Sequence, residues 1–298
     1  MRGKVNKKLG FLGPEGTFTE EIALLYSDDD KSVKMKEYLS IGQIVEDVAK
    51  GVISNGIVPL ENSLEGSVSV TLDMLAAAED VFIKEEIVYP ISHCLMALNE
   101  AVPGDLKAVY SHIQAFSQCR SFLKENMPRA SLVPTESTAA AARLVAESGE
   151  NIAAVAPARA ASLFNLKIIA ADIQDGNSSG ESNGNVTRFV VLAKEDGDPM
   201  GRDKTSVILS IKDGAGSLYN VLGVFASRKV NLTKIESRPA RKSLGEYLFF
   251  IDFEGHRKDN NIIALFEELE SKVNYMKMLG SYPCFINKNI VKDINGCI

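Results

Sequence analysis

Residues 9–20 read LGFLGPEGTFTE, and this stretch decides the fold class. Its apolar start predicts a strand at 9–12, the glycines and the proline predict a turn, and a helix is expected over 17–26. Thr17 and Glu20 have the spacing of a capping box, in which two side chains bond to the start of a helix. A strand that enters a capped helix through a glycine turn is typical of α/β layers.

The same alternation of strands and helices continues to about residue 195. Strands are predicted at 52–60, 87–98, 108–111, 152–156, 167–171 and 186–193, and helices at 115–126 and, capped by Ser137 and Thr138, up to residue 147. The polar segment 194–204 is rich in turn formers and marks a domain boundary. Beyond it, strands at 205–211, 231–235, 246–253 and 277–285 and helices at 216–229 and 260–273 form a βαββαβ pattern.

Composition excludes several classes of partner. The 298 residues suit two or three domains. The 33 basic and 39 acidic residues give a net charge of −6, so neither nucleic acid nor an anionic membrane attracts the chain at long range. No run of about 18 apolar residues predicts a transmembrane helix, and the basic N-terminus leads into too few apolar residues for a signal peptide. The four scattered cysteines, Cys94, Cys119, Cys284 and Cys297, favour a reduced, cytoplasmic protein.

A metal site is not expected in a chain with three histidines. His93 and Cys94 are neighbours in an apolar run, and neighbours on a strand point to opposite faces, so the two cannot hold one ion. Core packing explains both better.

Several polar segments are candidates for ligand binding, each with a plainer interpretation. Residues 58–73, VPLENSLEGSVSVTLD, follow a strand at the edge where α/β sheets bind ligands, although a solvated loop explains them equally well. The helix start at 13–20 either presents free N–H groups to a carboxylate or is simply well capped. It matches neither of the nucleotide-binding motifs, the Walker A loop and G-x-G-x-x-G. Residues 111–118 and 187–189 add further polar groups. The surface of a helix also explains the first set, and an ordinary strand also explains the second.

Taken together, these segments resemble prephenate dehydratases. The resemblance rests on five motifs in the family's order: GPEGTFTE at 13–20, VPLENSLEGSVSVTLD at 58–73, SHIQAFSQC at 111–119, STAAAA at 137–142 and TRF at 187–189. The C-terminal part resembles the ACT regulatory domain of the same enzymes, through GSLY at 216–219 and NLTKIESRP at 231–239. No chorismate mutase helix precedes residue 9, which implies a monofunctional enzyme. The 173–187 loop is longer than in the family, Ile113 stands where proline is common, and Ser217 where alanine is common.

The resemblance implies an α/β fold with a two-lobed, periplasmic-binding-protein-like catalytic domain and a ferredoxin-like βαββαβ ACT domain. The catalytic domain is expected at 1–198, with lobe 1 at about 1–86 and 174–198 and lobe 2 at about 87–173. The ACT domain is expected at 203–298. Closure of the cleft between the lobes would exclude water from the site.

The activity that the resemblance implies is the decarboxylating dehydration of prephenate to phenylpyruvate in phenylalanine biosynthesis, without metal or organic cofactor. Thr187 is implied as the donor to the departing hydroxyl, and a threonine needs a polarising neighbour for that task. Further implied groups position or polarise the substrate: Glu61, Asn62, Ser111, Gln118 and Glu136. Ser63 and Phe189 are expected beside the substrate, and we add Thr17 and Arg188 as candidate contacts of its carboxylates.

Regulation by phenylalanine is implied by the ACT resemblance, with a homodimer or homotetramer formed through these domains. The expected effector residues are Gly216, Ser217, Leu218, Asn231, Leu232, Glu236, Ser237 and Arg238. Three alternatives stay open: an arogenate dehydratase, a non-catalytic two-lobed amino-acid sensor, and an ACT-like segment that serves only dimerisation.

Overall fold

The structure is a computed structural model that describes residues 8–27, 32–148, 151–175, 184–211, 214–239 and 247–285. Residues 176–183 of the predicted long loop, and Cys297, lie outside the described residues. The first lobe contains β1 (Lys8–Leu12), α1 (Phe18–Ser27), β2 (Lys34–Tyr38), α2 (Ile41–Ala49), β3 (Asn55–Asn62), β4 (Gly66–Ser67), α3 (Ser69–Ala77), β5 (Phe82–Pro90) and, later in the chain, β11 (Val186–Ala193). Its strands are ordered β2-β1-β3-β11-β5.

The predicted strand, turn and helix at the N-terminus are present, but the predicted capping box is not formed, because Glu20 bonds to the N–H of Gly16 and not to that of Thr17. The Glu20 carboxylate accepts a hydrogen bond from the backbone N–H of Gly16 at 2.6 Å. Thr17, in contrast, donates its hydroxyl to the carbonyl of Pro14 at 2.9 Å instead of accepting from the helix. The turn itself needs glycine, because Gly16 has a φ of +87°.

The second lobe is built on a separate sheet with strand order β10-β6-β9-β7-β8. It contains β6 (Cys94–Ala97), β7 (Ala108–Ser111), α4 (Ile113–Gln118), α5 (Arg120–Asn126), β8 (Ser131–Pro134), α6 (Thr138–Ser148), β9 (Ile152–Ala156), α7 (Ala158–Phe164) and β10 (Lys167–Ala170). The prediction of one strand over 87–98 was therefore wrong, since β5 and β6 belong to different sheets. The helix predicted over 115–126 is likewise divided into α4 and α5.

Two chain crossings connect the lobes and are bonded to each other. Residues 91–93 run from β5 to β6, and the return from β10 to β11 contains residues 171–175 and 184–185. The N–H of Ile91 donates to the carbonyl of Asn185 at 2.7 Å, and the N–H of Ile173 donates to the carbonyl of His93 at 3.0 Å. These paired crossings form the hinge of the two-lobed unit.

An ion pair and a close contact also join the lobes away from the hinge. Arg159 of α7 donates two hydrogen bonds, of 3.1 and 2.8 Å, to the carboxylate of Glu20 of α1. A Cβ at Gly16 would lie 3.3 Å from Ala139 of α6, so this turn packs tightly against the second lobe. The two lobes therefore touch along α1.

The C-terminal region forms the predicted βαββαβ domain, with β12 (Asp203–Ile211), α8 (Ser217–Ser227), β13 (Leu232–Pro239), β14 (Tyr247–Glu254), α9 (Asn260–Glu270) and β15 (Val273–Phe285). Its sheet, ordered β13-β14-β12-β15, continues into lobe 1 because β15 pairs in parallel with β5. The crossing is close: a Cβ at Gly280 would lie 2.2 Å from the carbonyl oxygen of Ile83. The C-terminal domain is thus joined to lobe 1 through a shared sheet.

The two faces of this C-terminal sheet have different partners. One face packs on α8 and α9, with Phe225, Phe253 and Leu265 in its core. The other face packs on lobe 1, where Phe250 and Tyr282 share a hydrophobic cluster with residues of α2 and α3. Residues of β12–β14 consequently alternate between the helices of their own domain and the catalytic lobe.

Within the part of the chain that the structure describes, no helix combines the length and apolar character needed to span a bilayer. The same residues contain no cluster of three or more His, Cys, Asp or Glu that could hold a metal ion. Cys94 and Cys119 are free and buried. Burial raises the pKa of the Cys119 thiol to about 12, which keeps it protonated and unreactive.

Candidate active site

A cleft of about 510 Å³ lies between the two lobes at the hinge. Lobe 1 lines it with Thr17, Phe18, Thr19, Pro59, Asn62, Glu65, Gly66, Ser67, Val68, Thr187 and Phe189; lobe 2 with His112, Gln114, Ala115, Gln118, Glu136, Ser137 and Thr138; the crossings with Ile91, His93 and Asn185. The volume is that of a site for one small molecule. The cleft therefore brings together Thr17, Asn62, Gln118, Glu136, Thr187 and Phe189 from the predicted site.

The pairing of β3 with β11 sets Asn62 beside Thr187. In this antiparallel pair Thr187 lies directly opposite Asn62, so their side chains project from the same face. The Asn62 Nδ2 atom lies 2.8 Å from Thr187 Oγ1 and 2.6 Å from Asn185 Oδ1. Thr187 is only 8% exposed, and this small opening faces the cleft.

The orientation of the Asn62 amide is fixed by the backbone after β3. Its Oδ1 atom accepts hydrogen bonds from the N–H groups of Leu64 at 2.9 Å and Glu65 at 3.0 Å. Because the oxygen is occupied by these donors, the NH₂ group must face Thr187 and Asn185. Thr187 Oγ1 therefore accepts a hydrogen bond from Asn62, and its own proton is left to be donated to a group in the cleft.

Gln118 enters the cleft from lobe 2 at the end of α4. Its Oε1 atom lies 2.8 Å from Nε2 of His93, which comes from the first hinge crossing. The His93 ring also meets Phe18 of lobe 1 edge-on, at 5.4 Å between ring centroids. Burial lowers the pKa of His93, so the imidazole is neutral near pH 7.

The charge of the cleft comes from acidic groups and helix starts. No lysine or arginine occurs among the described residues that line it, whereas Glu65 and Glu136 do. The first turns of α1 and α6, from opposite lobes, both reach the cleft wall. Since the first N–H groups of a helix have no backbone partner within the helix and sit at its positive end, these two starts offer backbone donors to an anion.

Arg188 does not reach the cleft, and the prediction that it contacts a substrate carboxylate was wrong. Successive side chains on a strand point to opposite faces, so Arg188 turns away from Thr187 toward the C-terminal domain. Its guanidinium lies 2.5 Å from Glu86, 2.5 Å from Asp252 and 2.7 Å from the hydroxyl of Tyr282. Arg188 is thus an ionic anchor between the catalytic region and the C-terminal sheet.

Three other predicted site residues also lie outside the cleft wall. The Glu61 carboxylate is opposite Arg188 on the same face and pairs with Lys234 of β13 at 3.0 Å. Ser111 is fully buried and donates its hydroxyl to the carbonyl of Val155 at 2.6 Å. Ser63 accepts a hydrogen bond from the N–H of Val186. These residues hold the framework, and direct substrate contact by them is not supported.

The expected effector residues divide into two groups. Glu236 and Arg238 face lobe 1, where Glu236 bonds to Ser67 and Arg238 pairs with Asp73 at 3.1 Å. Those bonds already occupy both charged groups, which argues against their role as primary effector ligands. The others are at least partly exposed and do not bond to lobe 1 in the described structure: Gly216, Ser217, Leu218, Asn231, Leu232 and Ser237.

Sequence reasoning missed two polar residues of the hinge. His93 was interpreted as core packing, yet it lines the cleft and holds Gln118. Asn185 was counted with the polar loop, yet it is 3% exposed and bonded to Asn62. The available signal was Pro90, which ends a strand and so indicates that the apolar run is interrupted just before His93.

Comparison with known proteins identifies relatives of both regions. A family model described as prephenate dehydratase matches residues 9–197, and one described as ACT domain matches residues 205–271. The bifunctional chorismate mutase/prephenate dehydratase of Aquifex aeolicus is 41% identical over 276 residues, which cover 93% of this chain and 73% of that protein. The prephenate dehydratase of Methanocaldococcus jannaschii is 36% identical over 287 residues, which cover 94% of this chain and 100% of that protein.

The fold also matches a solved structure. The crystal structure of prephenate dehydratase from Arthrobacter aurescens in complex with L-Phe superposes with a TM-score of 0.82 at 34% sequence identity. The match covers 93% of this chain and 90% of that one. The two-lobed arrangement with a C-terminal βαββαβ domain is therefore shared along nearly the full length.

Proposed function

This chain belongs to the prephenate dehydratase family, and from that premise we propose that its cleft converts prephenate to phenylpyruvate with Thr187 as the proton donor. The observation that carries the proposal is the pairing of Asn62 with Thr187 at 2.8 Å in the wall of the interlobe cleft. That hydrogen bond leaves the threonine proton directed at a ligand. A non-catalytic sensor has no leaving hydroxyl to which a proton must be delivered.

The chemistry requires a donor because hydroxide is a poor leaving group. The bond between the ring and its carboxylate carbon breaks and releases carbon dioxide, and its electron pair enters the ring. The ring carbon–oxygen bond breaks at the same time, and the departing oxygen takes a proton to leave as water. Thr187 gives its proton to this oxygen, Asn62 stabilises the negative charge left on Oγ1 by donating to it, and water returns a proton to Oγ1 before the next turnover. The ring becomes aromatic, which supplies the driving force.

In this cleft, helix starts and side-chain amides are the groups that bind the two carboxylates of the substrate. The start of α1, at Thr17, and the start of α6, at Ser137 and Thr138, supply N–H donors from the two lobes. Gln118 adds a side-chain amide, and Phe189 an apolar surface for the ring. Donors from both lobes would hold the substrate more firmly when the lobes approach, which links binding to exclusion of water.

Phenylalanine regulates this reaction through the C-terminal domain in our proposal. The face of β13 toward lobe 1 carries Lys234, which bonds to Glu61 at 3.0 Å and to Ser67 at 2.6 Å. Ser67 lines the cleft, and the hairpin between Glu61 and Ser67 contains Asn62. A small shift of β13 on effector binding would therefore move the group that orients Thr187, and a coupling of about 1–3 kcal/mol is enough for feedback inhibition.

Assembly into a homodimer or homotetramer through these domains is part of the proposal. In the described sheet β13 is an edge strand, which is a ready surface for pairing with another chain. Ile235 of β13 and Tyr219 of α8 are 47% and 78% exposed, and burial of such side chains would stabilise the contact. We expect the enzyme to act in the cytoplasm, where buried thiols such as Cys119 stay reduced.

Arogenate is a second candidate substrate, because it carries an ammonium group where prephenate carries a carbonyl. Glu65 and Glu136 line the cleft, and no described lysine or arginine does, so the local charge suits a cation. The two substrates undergo the same loss of carbon dioxide and water.

The direct test is turnover by the purified protein. We expect formation of phenylpyruvate from prephenate, with a lower rate when phenylalanine is present. A parallel assay with arogenate and detection of phenylalanine decides between the two substrates by the ratio of kcat/KM. Absence of turnover with both substrates would remove the proposed function.

A further inference from the structure

His93 holds a position that joins the hinge to the cleft. It lies in the crossing between β5 and β6, and it is 3% exposed. Its backbone N–H donates to the side chain of Gln174 on the other crossing at 2.9 Å. Its ring contacts Phe18 in lobe 1 and Gln118 in lobe 2. The ring is thus held by groups from both lobes, and the His93 backbone is held by the other crossing.

The tautomer of His93 follows from its partners. With Gln118 Oε1 at 2.8 Å, Nε2 carries the proton and donates it, and Nδ1 is left as a buried acceptor without a partner among the described residues. If the amide were reversed, the proton would sit on Nδ1 as a buried donor without a partner. Orphaned buried donors are rarer in proteins than under-satisfied acceptors, so the first arrangement is favoured.

This hydrogen bond decides which end of the Gln118 amide meets a ligand. The oxygen is engaged by His93, so the NH₂ group is presented to the cleft. We propose that His93 is a positioning residue that holds Gln118 as a hydrogen-bond donor to the substrate. The proposed ligand atom is an acceptor, either a carboxylate oxygen or the carbonyl oxygen of the side chain. This inference rests on the proposed function and adds to it the residue that sets the direction of one donor.

Because His93 lies at the hinge, its hydrogen bond to Gln118 is also linked to closure of the two lobes. Rotation of lobe 2 about the crossings would move Gln118 relative to Phe18, whereas His93 stays between them. The Gln118 amide is therefore expected to turn toward the substrate in the same geometry in which the lobes close. A residue that served packing alone would have no such link to Gln118.

A double-mutant cycle tests the proposal in the full-length protein. His93→Phe keeps an aromatic ring beside Phe18 but removes the donor to Gln118, and we expect kcat/KM for prephenate to fall about tenfold. In a Gln118→Leu background the same change is expected to have almost no further effect, because the amide that it orients is gone. His93→Gln supplies an amide N–H and should recover most of the loss. Equal losses in both backgrounds, or no loss in the wild-type background, would overturn the proposal.

Ser92→Ala is the matched control, because it perturbs the same crossing without touching the cleft. Ser92 donates to Asp172 at 2.5 Å within the hinge, and we expect its removal to leave kcat/KM within about threefold. Comparison of the unfolding transitions of all variants separates a loss of folded protein from a loss of orientation.

Nitrogen-15 NMR of the imidazoles reads the tautomer in the unaltered protein. The chain has three histidines, so assignment is simple. We expect His93 to be neutral and protonated on Nε2 at pH 7, and protonation on Nδ1 would contradict the proposal. Because this measurement needs no turnover, it still tests the arrangement if the chain fails to act on prephenate.

Discussion

Substitution of Arg188 by methionine tests the reassignment of this residue from substrate ligand to domain anchor. Methionine keeps most of the hydrocarbon stem and removes the charge from a buried group of acidic partners. Glu86 is completely buried and Asp252 is 5% exposed, so both carboxylates would lose a cation in a region that water does not reach. Removal of one partner from a buried ion pair costs about 3–5 kcal/mol.

The local contacts place the expected loss near the lower end of that range. Glu86 keeps a pair with Lys204 at 2.7 Å, and Asp252 keeps a hydrogen bond from Ser206 at 2.5 Å. We therefore expect the free energy of unfolding to fall by about 3 kcal/mol, a large part of the 5–15 kcal/mol typical of a folded domain. The folded fraction of the variant should bind prephenate with a KM within about threefold of the wild-type value.

Urea unfolding followed by circular dichroism, together with steady-state kinetics below the transition, measures both quantities. Arg228→Met is the matched control, because Arg228 pairs with Glu268 at 3.1 Å at the surface of the C-terminal domain. Such exposed pairs contribute about 0–1 kcal/mol. The reasoning is refuted if Arg188→Met unfolds like Arg228→Met while KM for prephenate rises tenfold or more, the loss about expected when a hydrogen bond to a charged group is removed.

Three further predictions concern pH, the contact between the lobes, and regulation. Because burial holds the pKa of His93 below its ordinary value of 6.5, the unfolded chain binds a proton that the native protein does not, so stability should fall as the pH drops below about 6.5. His93→Phe should flatten this dependence between pH 7.5 and 5.5 in urea titrations, and an unchanged slope would contradict it. Arg159→Met removes the two bonds to Glu20 across the lobes, so we expect a larger radius of gyration by X-ray scattering without substrate and a KM raised by about three- to tenfold; unchanged scattering and KM would contradict a role in closure. Lys234→Met should weaken inhibition by phenylalanine about tenfold while basal turnover is retained, and normal inhibition would exclude contact of β13 with the Glu61 hairpin as the route of coupling.

Local patterns were sufficient to predict the elements that carry the chemistry. The strand and helix around Gly16, the cap at Ser137 and the βαββαβ order of the C-terminal domain all follow from turn residues and apolar periodicity, and the structure contains them. Family motifs brought Asn62 and Thr187 to attention. Their contact follows from the register of β3 with β11, which no short motif encodes.

The errors arose where long-range contacts decide the outcome. Alternation along a strand already requires Thr187 and Arg188 to face opposite ways. Which of them meets the cleft depends on the docking of the C-terminal sheet, and Gly280, which permits that docking, lies far away in the sequence. His93 was assigned to the core because an apolar run conceals the point where the chain leaves one sheet and enters another.

The turnover number of Thr187→Ala on prephenate tests the central claim most directly. We expect kcat to fall by a factor on the order of 10² to 10⁴ in a protein that is still folded without urea, because the hydroxyl that faces the leaving group is removed. Thr187→Ser, which keeps a hydroxyl within reach of Asn62, should recover much of the rate. Near-normal turnover by the alanine variant would contradict the assignment of Thr187 as the donor.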